Sequence, residues 1–487
     1  MNKNFEALNP QSVWKHFVEI MKRPRPSYHE EAIRQYVIDF AAAHNLECKV
    51  DDALNVYIFK PATAGMESRK GLILQAHLDM VPQKNNDKEF DFENDPIEGY
   101  IDGEWVTANG TTLGADNGIG AAAILAILED ESLVHGDLEA LFTATEETGM
   151  DGAMGLKGGL LKGDILLNLD SEDEGELYVG CAGGVDLTAT FEYESSPTPD
   201  TDYKAFRLDV KGLKGGHSGI QIVCQRANSN KVLFHFLRSS AIDVDMLLCS
   251  VDGGGLRNAI PRETSAIVLV HEEDVTDFEA AVKQYEAQVV AEYAGIEDSI
   301  SFTATEVEVP EQMIDEDAAA CLVWSVVGCP NGVIKFSPSM PGLVQTSSNL
   351  ARVVSNGETI TIQCLLRSSV RSEKEALADS IASVFELADA DVETTGAYDG
   401  WNPNMESPIL KTMIASYDDL YNKTPEVKAI HAGLECGIIS TNYPTLDMIS
   451  FGPTIQYPHS PDERVEVASV EKFYDFLKHT IINAPEK

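Results

Sequence analysis

Five short segments of this chain end an apolar run with a histidine or an acidic residue. They are Gly71–Asp79, Leu113–Gly118, Phe142–Gly149, Ile165–Asp170 and Tyr457–Glu463. Polar site residues of open α/β sheets gather at the carboxyl ends of strands, so these side chains are candidates for one common site. If they meet, two parts of the chain that are far apart in sequence must fold together. This requirement constrains the fold more than any other feature of the sequence.

The composition excludes several classes of partner. The 487 residues carry 36 basic and 79 acidic side chains, a formal charge of −43. Such an acidic chain is not expected to bind nucleic acid or an anionic membrane. The first ten residues lack an apolar signal core, and no run of about 18 apolar residues occurs, so we predict a cytoplasmic protein without a membrane span. The eight scattered cysteines favour reduced thiols.

The pattern of apolar residues changes twice along the chain. Residues 12–43 show helical spacing with a break at Pro24 and Pro26, and short β-rich runs then alternate with helical ones up to residue 169. This alternation predicts parallel strands with crossover helices, the α/β class. From about residue 186, alternating strands with helices between them indicate an α+β insertion, in which two similar β-α-β halves are one interpretation. The first pattern returns after about residue 400, so we predict one α/β domain from residues 1–185 and 399–487, with residues 186–398 inserted as a second domain.

The segment that contains His77 and Asp79 reads as a buried strand. Residues two apart on a strand point to the same side, so Asp79 would orient the imidazole of His77 as at many metal sites. The alternative is a hydrogen-bonded core histidine beside a capping aspartate. Asp116 precedes an apolar helix among glycines, where it is either an ordinary N-cap or a carboxylate that bridges two cations.

Glu146 and Glu147 follow a second apolar run. In an extended segment, neighbouring side chains face opposite ways, so one glutamate would bind a cation while the other stays free as a general base. The alternative is a solvated acidic turn. Asp170 ends a third run and is the only member of the acidic stretch 170–176 that we assign to the site, because it alone adjoins the strand.

His459 precedes Ser460, Pro461 and Glu463. This order is typical of a capping box with proline at the first helical position, and it predicts a helix that begins just after His459. The alternative is an exposed loop histidine. Two imidazoles and several carboxylates together suit two divalent cations that activate water for hydrolysis. Such donors suit Zn²⁺, and Mn²⁺ or Co²⁺ also accept them.

Four motifs make the chain resemble a known family, the zinc-dependent metallopeptidases that include carnosine dipeptidases, aminoacylases and glutamate carboxypeptidases. The motifs are Gly114–Gly120, Thr145–Met150, Lys214–Gly219 and His431–Gly437. The resemblance covers nearly the whole length. It implies a catalytic domain with a mixed, largely parallel sheet flanked by helices, interrupted by an α+β lid domain. It also implies metal-dependent hydrolysis of unblocked dipeptides, including Xaa-His substrates such as β-alanyl-histidine.

The resemblance further implies a role for each matching residue of the catalytic domain. His77 and Asp170 would bind one zinc ion, Glu147 and His459 would bind the other, and Asp116 would bridge the two. Asp79 would orient His77, and Glu146 would act as the base.

In the lid domain, the resemblance implies that His217 supports the scissile carbonyl. Asn258 and Arg367 match positions that hold substrate, although a surface strand residue is the alternative for Arg367. His431 and Glu435 match a motif of a subgroup, which implies recognition of a substrate terminus.

Two other functions compete with a dipeptidase. A deacylase or aminopeptidase of the same family would share the metal centre, but a closing lid favours short substrates. A metal-binding or scaffold protein without turnover would have no need of Glu146 beside Glu147. The expected partner is a dipeptide, and the sequence leaves open whether the chain forms a homodimer.

Overall fold

A computed structural model describes residues 1–199, 201–240, 244 and 246–487. The chain forms two compact units. Unit 1 consists of residues 1–181, 401–429 and 434–487, and unit 2 consists of residues 182–400 and 430–433. The two outer parts of the chain therefore fold together. The short segment 430–433, which contains His431, belongs to unit 2, whereas our predicted boundaries after residues 185 and 398 placed it with the outer parts.

Unit 1 is built on an eight-stranded mixed sheet. Its strands, numbered in chain order with those of unit 2, are β1 Glu47–Val50, β2 Val56–Lys60, β3 Leu72–His77, β6 Leu138–Thr143, β7 Ile165–Asn168, β8 Glu176–Cys181, β22 Glu426–Ile430 and β23 Asp447–Ser450. They lie in the order β1-β2-β6-β3-β7-β23-β8-β22. The four central strands β6, β3, β7 and β23 are parallel to their neighbours within this group, and β1, β2 and β8 pair antiparallel. The predicted α/β class with a largely parallel sheet is confirmed.

The helices of unit 1 are α1 Gln11–Met21, α2 Glu31–Ala43, α3 Ala115–Glu129, α4 Glu146–Gly149, α5 Asp151–Gly155, α10 Pro408–Tyr421, α11 Glu435–Asn442 and α12 Val467–Ile482. Helix α3 is apolar on all sides and buried over nearly its whole length, as expected for a helix that packs against both β3 and α1. Lys60 closes its carboxyl end by donating hydrogen bonds to the carbonyl groups of Ile127, Leu128 and Asp130.

The register of the central strands brings their carboxyl ends together. His77 of β3 pairs with Thr143 of β6, and Gln75 of β3 pairs with Asn168 of β7. The segments that follow these strands carry most of the candidate site residues. The last candidate residue, His459, is carried by a four-stranded sheet in the same unit. The strands of this sheet are β4 Gly99–Asp102, β5 Trp105–Ala108, β24 Ile455–Gln456 and β25 Arg464–Glu466. His459 lies in the connection between β24 and β25, which pair antiparallel.

Unit 2 is an antiparallel α+β unit. Its strands are β9 Gly183–Glu192, β10 Ser195–Pro197, β11 Tyr203–Lys211, β12 Gly216–His217, β13 Met246–Gly253, β14 Ala259–Ile260, β15 Thr264–His271, β16 Ser301–Val307, β17 Gln312–Ile314, β18 Gly332–Phe336, β19 Val344–Ser355, β20 Thr359–Ser368 and β21 Asp391–Tyr398. Its helices are α6 Ser229–Ser240, α7 Val275–Glu292, α8 Glu316–Gly328 and α9 Arg371–Glu386.

The main sheet of unit 2 contains two similar halves. One half runs β11-α6-β13-β15-α7-β16 and orders its strands β16-β11-β15-β13, and the other runs β9-α8-β19-β20-α9-β21 and orders them β21-β9-β20-β19. The halves join where β13 pairs with β19. Each therefore has a β-α-β-β-α-β order, and one is inserted after the first strand of the other. One core of aliphatic and aromatic side chains, including Phe206, Phe236 and Phe385, supports both halves. Among the described residues of the chain, no helix combines the length and apolarity that crossing a bilayer requires.

Candidate active site

Two clusters of nitrogen and oxygen donors that share Asp116 lie at the carboxyl ends of β3, β6 and β7 in unit 1, and His77, Glu146 and Glu147 form a third, overlapping group. In the first cluster, Nε2 of His77 lies 3.1 Å from Oδ1 of Asp116 and 3.3 Å from Oδ1 of Asp170. In the second cluster, Nε2 of His459 lies 3.2 Å from Oδ2 of Asp116 and 3.0 Å from Oε2 of Glu147. The donor atoms of each cluster lie within 4.8 Å of one another. Asp116 belongs to both clusters and offers a different oxygen to each.

The charge of these clusters fits bound cations. Hydrogen bonds to Asp116 and Glu147 raise the pKa of His459 to about 11. Burial opposes the same shift at His77, but the charge of Asp170 and hydrogen bonds to the surrounding carboxylates hold its pKa well above the ordinary value. Imidazole must be neutral to bind a metal, so a bound cation would replace the extra protons of these two histidine rings. Oε1 of Glu147 is buried and has no hydrogen-bond partner among the described residues, which leaves a further donor for such a cation.

Asp116 is not the N-cap of α3. The N-cap is Gly114, and the backbone of Asp116 is non-helical at φ −79° and ψ 113°. The peptide bond that joins Asp116 to Asn117 is cis. The side chain of Asn117 donates a hydrogen bond to Asp170, a contact that the sequence did not predict. The carboxylate of Asp116 is thus directed at the two histidines rather than at the helix that follows it.

Glu146 and Glu147 begin the short helix α4. The prediction that they lie in an extended segment is wrong, because the left-handed backbone of Thr145, at φ 51°, ends the strand direction and starts the helix. Successive helical residues point about 100° apart, but a carboxylate oxygen of Glu146 and one of Glu147 still lie within 4.8 Å of each other and of a ring nitrogen of His77. Burial raises the pKa of the Glu146 carboxyl well above its ordinary value. A raised pKa makes the carboxylate form of Glu146 a stronger base.

Asp79 holds both His77 and the start of α4. Its Oδ1 lies 3.3 Å from Nδ1 of His77 and accepts a hydrogen bond of 2.9 Å from the backbone N–H of Glu146. Its Oδ2 accepts from the backbone N–H of Glu147 and from the hydroxyl of Ser27, at 3.1 and 2.7 Å. Burial alone would raise the pKa of Asp79, but these hydrogen bonds, with that of His77 foremost, lower it to about 2. The carboxylate therefore orients an imidazole and positions two glutamates at once.

Arg25 supports the site from the connection between α1 and α2. Its side chain is only 3% exposed. Nη1 donates to the carbonyl oxygens of Leu78 and Asp79 at 2.9 and 2.5 Å, and Nη2 donates to that of Gly114. The guanidinium group thereby joins the segment after β3 to the segment before α3. The sequence indicated only a helix break here, because an arginine between two prolines carries no signal of burial.

Glu30 supports the third segment of the site. Its Oε1 accepts hydrogen bonds from the backbone N–H and the hydroxyl of Thr145, at 2.9 and 2.6 Å. Together with Ser27 and Arg25, it makes the residues between α1 and α2 a scaffold for the candidate donors. The sequence offered no sign of this role beyond the presence of polar residues near a helix break.

The predicted capping box after His459 is wrong. No helix follows; the chain turns and enters strand β25 at Arg464. The carboxylate of Glu463 binds the backbone N–H groups of residues 113–116 instead of its own segment. A capping box needs the first turn of a helix to supply its N–H donors. Here, unpaired N–H groups at the start of α3 take that place.

Glu172 lies closer to the site than we expected. The sequence pattern assigns only Asp170 of the acidic stretch 170–176 to the site, but burial raises the pKa of Glu172 to about 8, and the charges of Asp116 and Asp170 add to the shift. Its carboxyl group therefore belongs to the same electrostatic environment as the two donor clusters.

Comparison with known proteins identifies the family. The sequence pattern of the peptidase family M20/M25/M40 matches residues 73–483. The chain belongs to this peptidase family. Over 480 residues it is 45% identical to the cytosol non-specific dipeptidase of Escherichia coli, with 99% of both chains covered. The predicted resemblance is thus confirmed, and the chain is a hydrolase that acts on peptide bonds.

Solved structures of relatives agree with this assignment. The aminoacylhistidine dipeptidase of Vibrio alginolyticus superposes with a TM-score of 0.96 at 44% identity and covers 100% of this chain and 99% of its own. An aminopeptidase of Bacillus cereus superposes with a TM-score of 0.59 at 14% identity, covering 98% of this chain and 99% of its own. The second likeness supports the fold alone.

Three of the predicted substrate residues of this M20 peptidase lie together in unit 2. Nδ1 of His217 accepts hydrogen bonds from the backbone N–H groups of Gly219 and Ile220, both at 3.1 Å. The proton of the neutral ring must then sit on Nε2, so this nitrogen is a donor. A Cβ atom at Gly219 would lie 2.2 Å from the carbonyl oxygen of His431 and 3.2 Å from Nε of Arg367. Glycine at this position allows the side chains of His217 and Arg367 and the backbone of His431 to converge.

Arg367 is buried on β20 rather than exposed, which excludes the alternative of a surface strand residue. Its side chain is 6% exposed, Nη1 donates to the hydroxyl of Tyr398 at 3.1 Å, and Nε has no partner among the described residues. Nε2 of His431 lies 2.7 Å from the hydroxyl of Ser347. Burial, with the charge of Arg367, lowers the pKa of His431 to about 3, so its ring is neutral.

Asn258 precedes β14, which pairs with the strand of His217. Its carbonyl oxygen accepts a hydrogen bond of 2.8 Å from the backbone N–H of Ser218. Its side chain is exposed. The residue therefore lies beside His217, with an amide group that is open to a ligand.

Glu435 lies in unit 1 at the start of α11. It is 1% exposed, and its Oε2 accepts hydrogen bonds from the side chains of Gln75 and Thr143 at 2.6 and 2.8 Å. Oε1 is buried and has no hydrogen-bond partner among the described residues. Burial and the charge of Asp170 raise the pKa of Glu435 to about 7. One oxygen is thus held in place, and the other is left for a donor that the described residues do not supply.

Proposed function

We propose that the chain is a cytoplasmic dipeptidase that hydrolyses unblocked dipeptides, including Xaa-His substrates such as β-alanyl-histidine. Its cofactors would be two Zn²⁺ ions, for which Mn²⁺ or Co²⁺ can substitute. The carboxylate of Asp116, with one oxygen in each donor cluster, is the observation that carries the proposal. The substrate class is supported by the names of the two dipeptidases that match the whole chain.

The proposed ligands follow the two clusters. His77 and Asp170 would hold one cation, Glu147 and His459 would hold the other, and Asp116 would bridge them. Imidazole nitrogens and carboxylate oxygens in this number are the donors that catalytic zinc sites use.

Glu146 is the proposed general base. A pair of divalent cations supplies Lewis acidity, which brings the pKa of a water molecule near neutrality. The carboxylate of Glu146 takes the proton of this water during attack on the peptide carbonyl carbon, and it returns the proton to the nitrogen of the leaving amine. Asp79 keeps Glu146 in position through its backbone N–H, and it keeps Nε2 of His77 unprotonated by facing Nδ1.

The residues of unit 2 are proposed to hold the substrate. Nε2–H of His217 would donate to the carbonyl oxygen as negative charge develops there. Arg367 would pair with the substrate carboxylate, because a guanidinium group binds a carboxylate through two parallel hydrogen bonds. Asn258 and His431 would add polar contacts to the same part of the substrate. For Glu435 we propose recognition of the free amino terminus through Oε1.

The test of the function combines metal content with substrate choice. Purified protein should contain two zinc ions per chain and should hydrolyse β-alanyl-histidine and ordinary dipeptides much faster than tripeptides or N-acyl amino acids. Metal removal by a chelator should abolish turnover, and added Zn²⁺ should restore it. Preference for an acylated amine would indicate a deacylase rather than a dipeptidase. Bound zinc without any hydrolysis would indicate a binding protein.

Replacement of Arg367 by methionine should weaken dipeptide binding. Loss of a charge-assisted, bidentate contact costs about 1.5–3 kcal/mol. We therefore expect KM for a dipeptide to rise about 10- to 100-fold. Steady-state kinetics on a dipeptide and on the corresponding dipeptide amide measure this effect, because the amide lacks the carboxylate.

The matched control is Arg371→Met, which removes an exposed arginine from the same unit. It should leave KM unchanged for both substrates. An equal rise of KM for the dipeptide and its amide in Arg367→Met would contradict a contact with the carboxylate.

The oligomeric state is a separate question. The sequence leaves a monomer and a homodimer open, and sedimentation velocity on the purified chain decides between them.

A further inference from the structure

The carboxylate of Glu463 binds four successive backbone N–H groups in unit 1. Oε2 accepts from residues 113 and 114 at 2.8 and 2.9 Å, and Oε1 accepts from residues 115 and 116 at 2.8 and 3.2 Å. The side chain of Glu463 is only 2% exposed. Every oxygen lone pair that the carboxylate can offer is thus used by one short segment of backbone.

These four N–H groups belong to the entrance of α3. They lie just before the regular turns of α3, because Asp116 and Asn117 have non-helical backbone angles, so they need partners from outside the helix. Burial raises the pKa of the Glu463 carboxyl to about 7, and the hydrogen bonds from the backbone of residues 113, 114 and 116 oppose this shift. The contact therefore supplies hydrogen-bond partners to both sides and joins segments far apart in sequence.

The contact joins two segments that each carry a candidate donor. Asp116 is the last residue of the bound backbone run, and His459 stands four residues before Glu463. Regular structure does not fix either donor: Asp116 has non-helical φ and ψ, and His459 has a left-handed backbone at φ 59°. Packing does not fix His459 either, since its side chain is 53% exposed. The Glu463 contact is a direct link between the two segments that carry these donors.

We infer that Glu463 is a positioning residue that sets the spacing of Asp116 and His459 and thereby the cation affinity of their cluster. The inference rests on the proposed metal-dependent function. Two of the three donors in the cluster of Asp116, Glu147 and His459 depend on this contact. In the other cluster only Asp116 depends on it, since His77 is held by β3 and Asp79, and Asp170 follows β7 and accepts a hydrogen bond from Asn117. Loss of the Glu463 contact should therefore weaken one cation much more than the other.

The test uses Glu463→Gln and measures cation binding to the metal-free protein. The amide of glutamine places an NH₂ group against backbone N–H donors, so two of the four hydrogen bonds are lost. Titration with Zn²⁺ in a calorimeter should resolve two cations for the wild type. In the variant, we expect one of them to bind about 10- to 100-fold more weakly, and the other to change by less than about threefold. Asp462→Asn, which makes the same change of charge at the exposed neighbouring residue, should bind both cations as the wild type does.

A second readout does not involve metal. In the metal-free protein, amide hydrogen exchange at residues 113–116 should be faster in Glu463→Gln than in the wild type, and it should be unchanged in Asp462→Asn. If Glu463→Gln does not fold, as judged by thermal unfolding, Glu463→Asp takes its place. Its shorter side chain keeps the charge but cannot reach all four N–H groups, so the same unequal weakening is expected.

Two results would overturn the inference. One is wild-type affinity for both cations in the folded variants, and the other is an equal loss of both. Dipeptide hydrolysis by the wild type is measured on the same preparation, so the two proposals can fail separately. A wild type that binds two cations but hydrolyses no dipeptide would end the proposed function, while the comparison of cation affinities would still decide the role of Glu463.

Discussion

Replacement of Glu146 by glutamine is expected to lower kcat for dipeptides by about 10³-fold, since general acid–base catalysis contributes about 10²- to 10⁴-fold. The amide cannot accept the proton of the attacking water, and its size is nearly unchanged. The candidate ligands Glu147 and His459 keep their contact in this variant, so two cations per chain should remain bound. Steady-state kinetics and metal analysis of the same sample measure the two expectations together.

The control for this variant is Asp151→Asn, which removes one negative charge from an exposed residue near Glu146. It should keep wild-type kcat. Two outcomes would count against Glu146 as the base: substantial turnover in Glu146→Gln, or a loss of turnover that parallels a loss of metal.

Replacement of Asp116 by alanine is expected to abolish turnover at least as completely and to release cations as well. Both donor clusters use this carboxylate, so each would lose one of its three donors. Metal analysis after dialysis should find fewer than two cations per chain, in contrast to Glu146→Gln. Because groups that act as one unit are strongly non-additive, the double variant Asp116→Ala and Glu146→Gln should be no slower than Asp116→Ala alone.

Two further variants serve as comparisons for Asp116→Ala. His459→Ala removes a donor from only one cluster, so it should lose one cation and retain the other. Asp102→Ala alters an exposed aspartate of β4 and should retain both. Retention of two tightly bound cations by Asp116→Ala would rule out a bridging role.

Much of the architecture could be predicted because buried strands and helices have recognisable runs of apolar residues. The apolar runs at residues 72–75, 138–143 and 165–169 are strands of the central sheet, and the apolar stretch 120–128 lies within α3. The candidate donors His77, Glu147 and Asp170 could also be predicted, because each stands at or just after the end of an apolar run. The argument that a carboxyl end of a strand places a side chain at the sheet edge needs no knowledge of the neighbouring strand.

The errors concern contacts between segments that are distant in sequence. Ser460 and Glu463 have the spacing of a capping box, but the spacing does not state whether a helix supplies the N–H donors. Arg25 stands between two prolines as a surface residue would, yet it is buried against three carbonyl groups of other segments. Local patterns cannot reveal such partners, because a buried polar residue is stabilised only by groups that the fold brings to it.

The sequence by itself determined the α/β class, and it predicted an insertion and a set of candidate metal donors. These features depend on the order of apolar and polar residues along short stretches. Only the tertiary structure decided that Asp116 divides its two oxygens between His77 and His459, and that Arg25 and Glu463 hold the segments around it. Distances of about 3 Å between side chains depend on strand register and loop conformation, which arise from the packing of the whole unit rather than from any one segment.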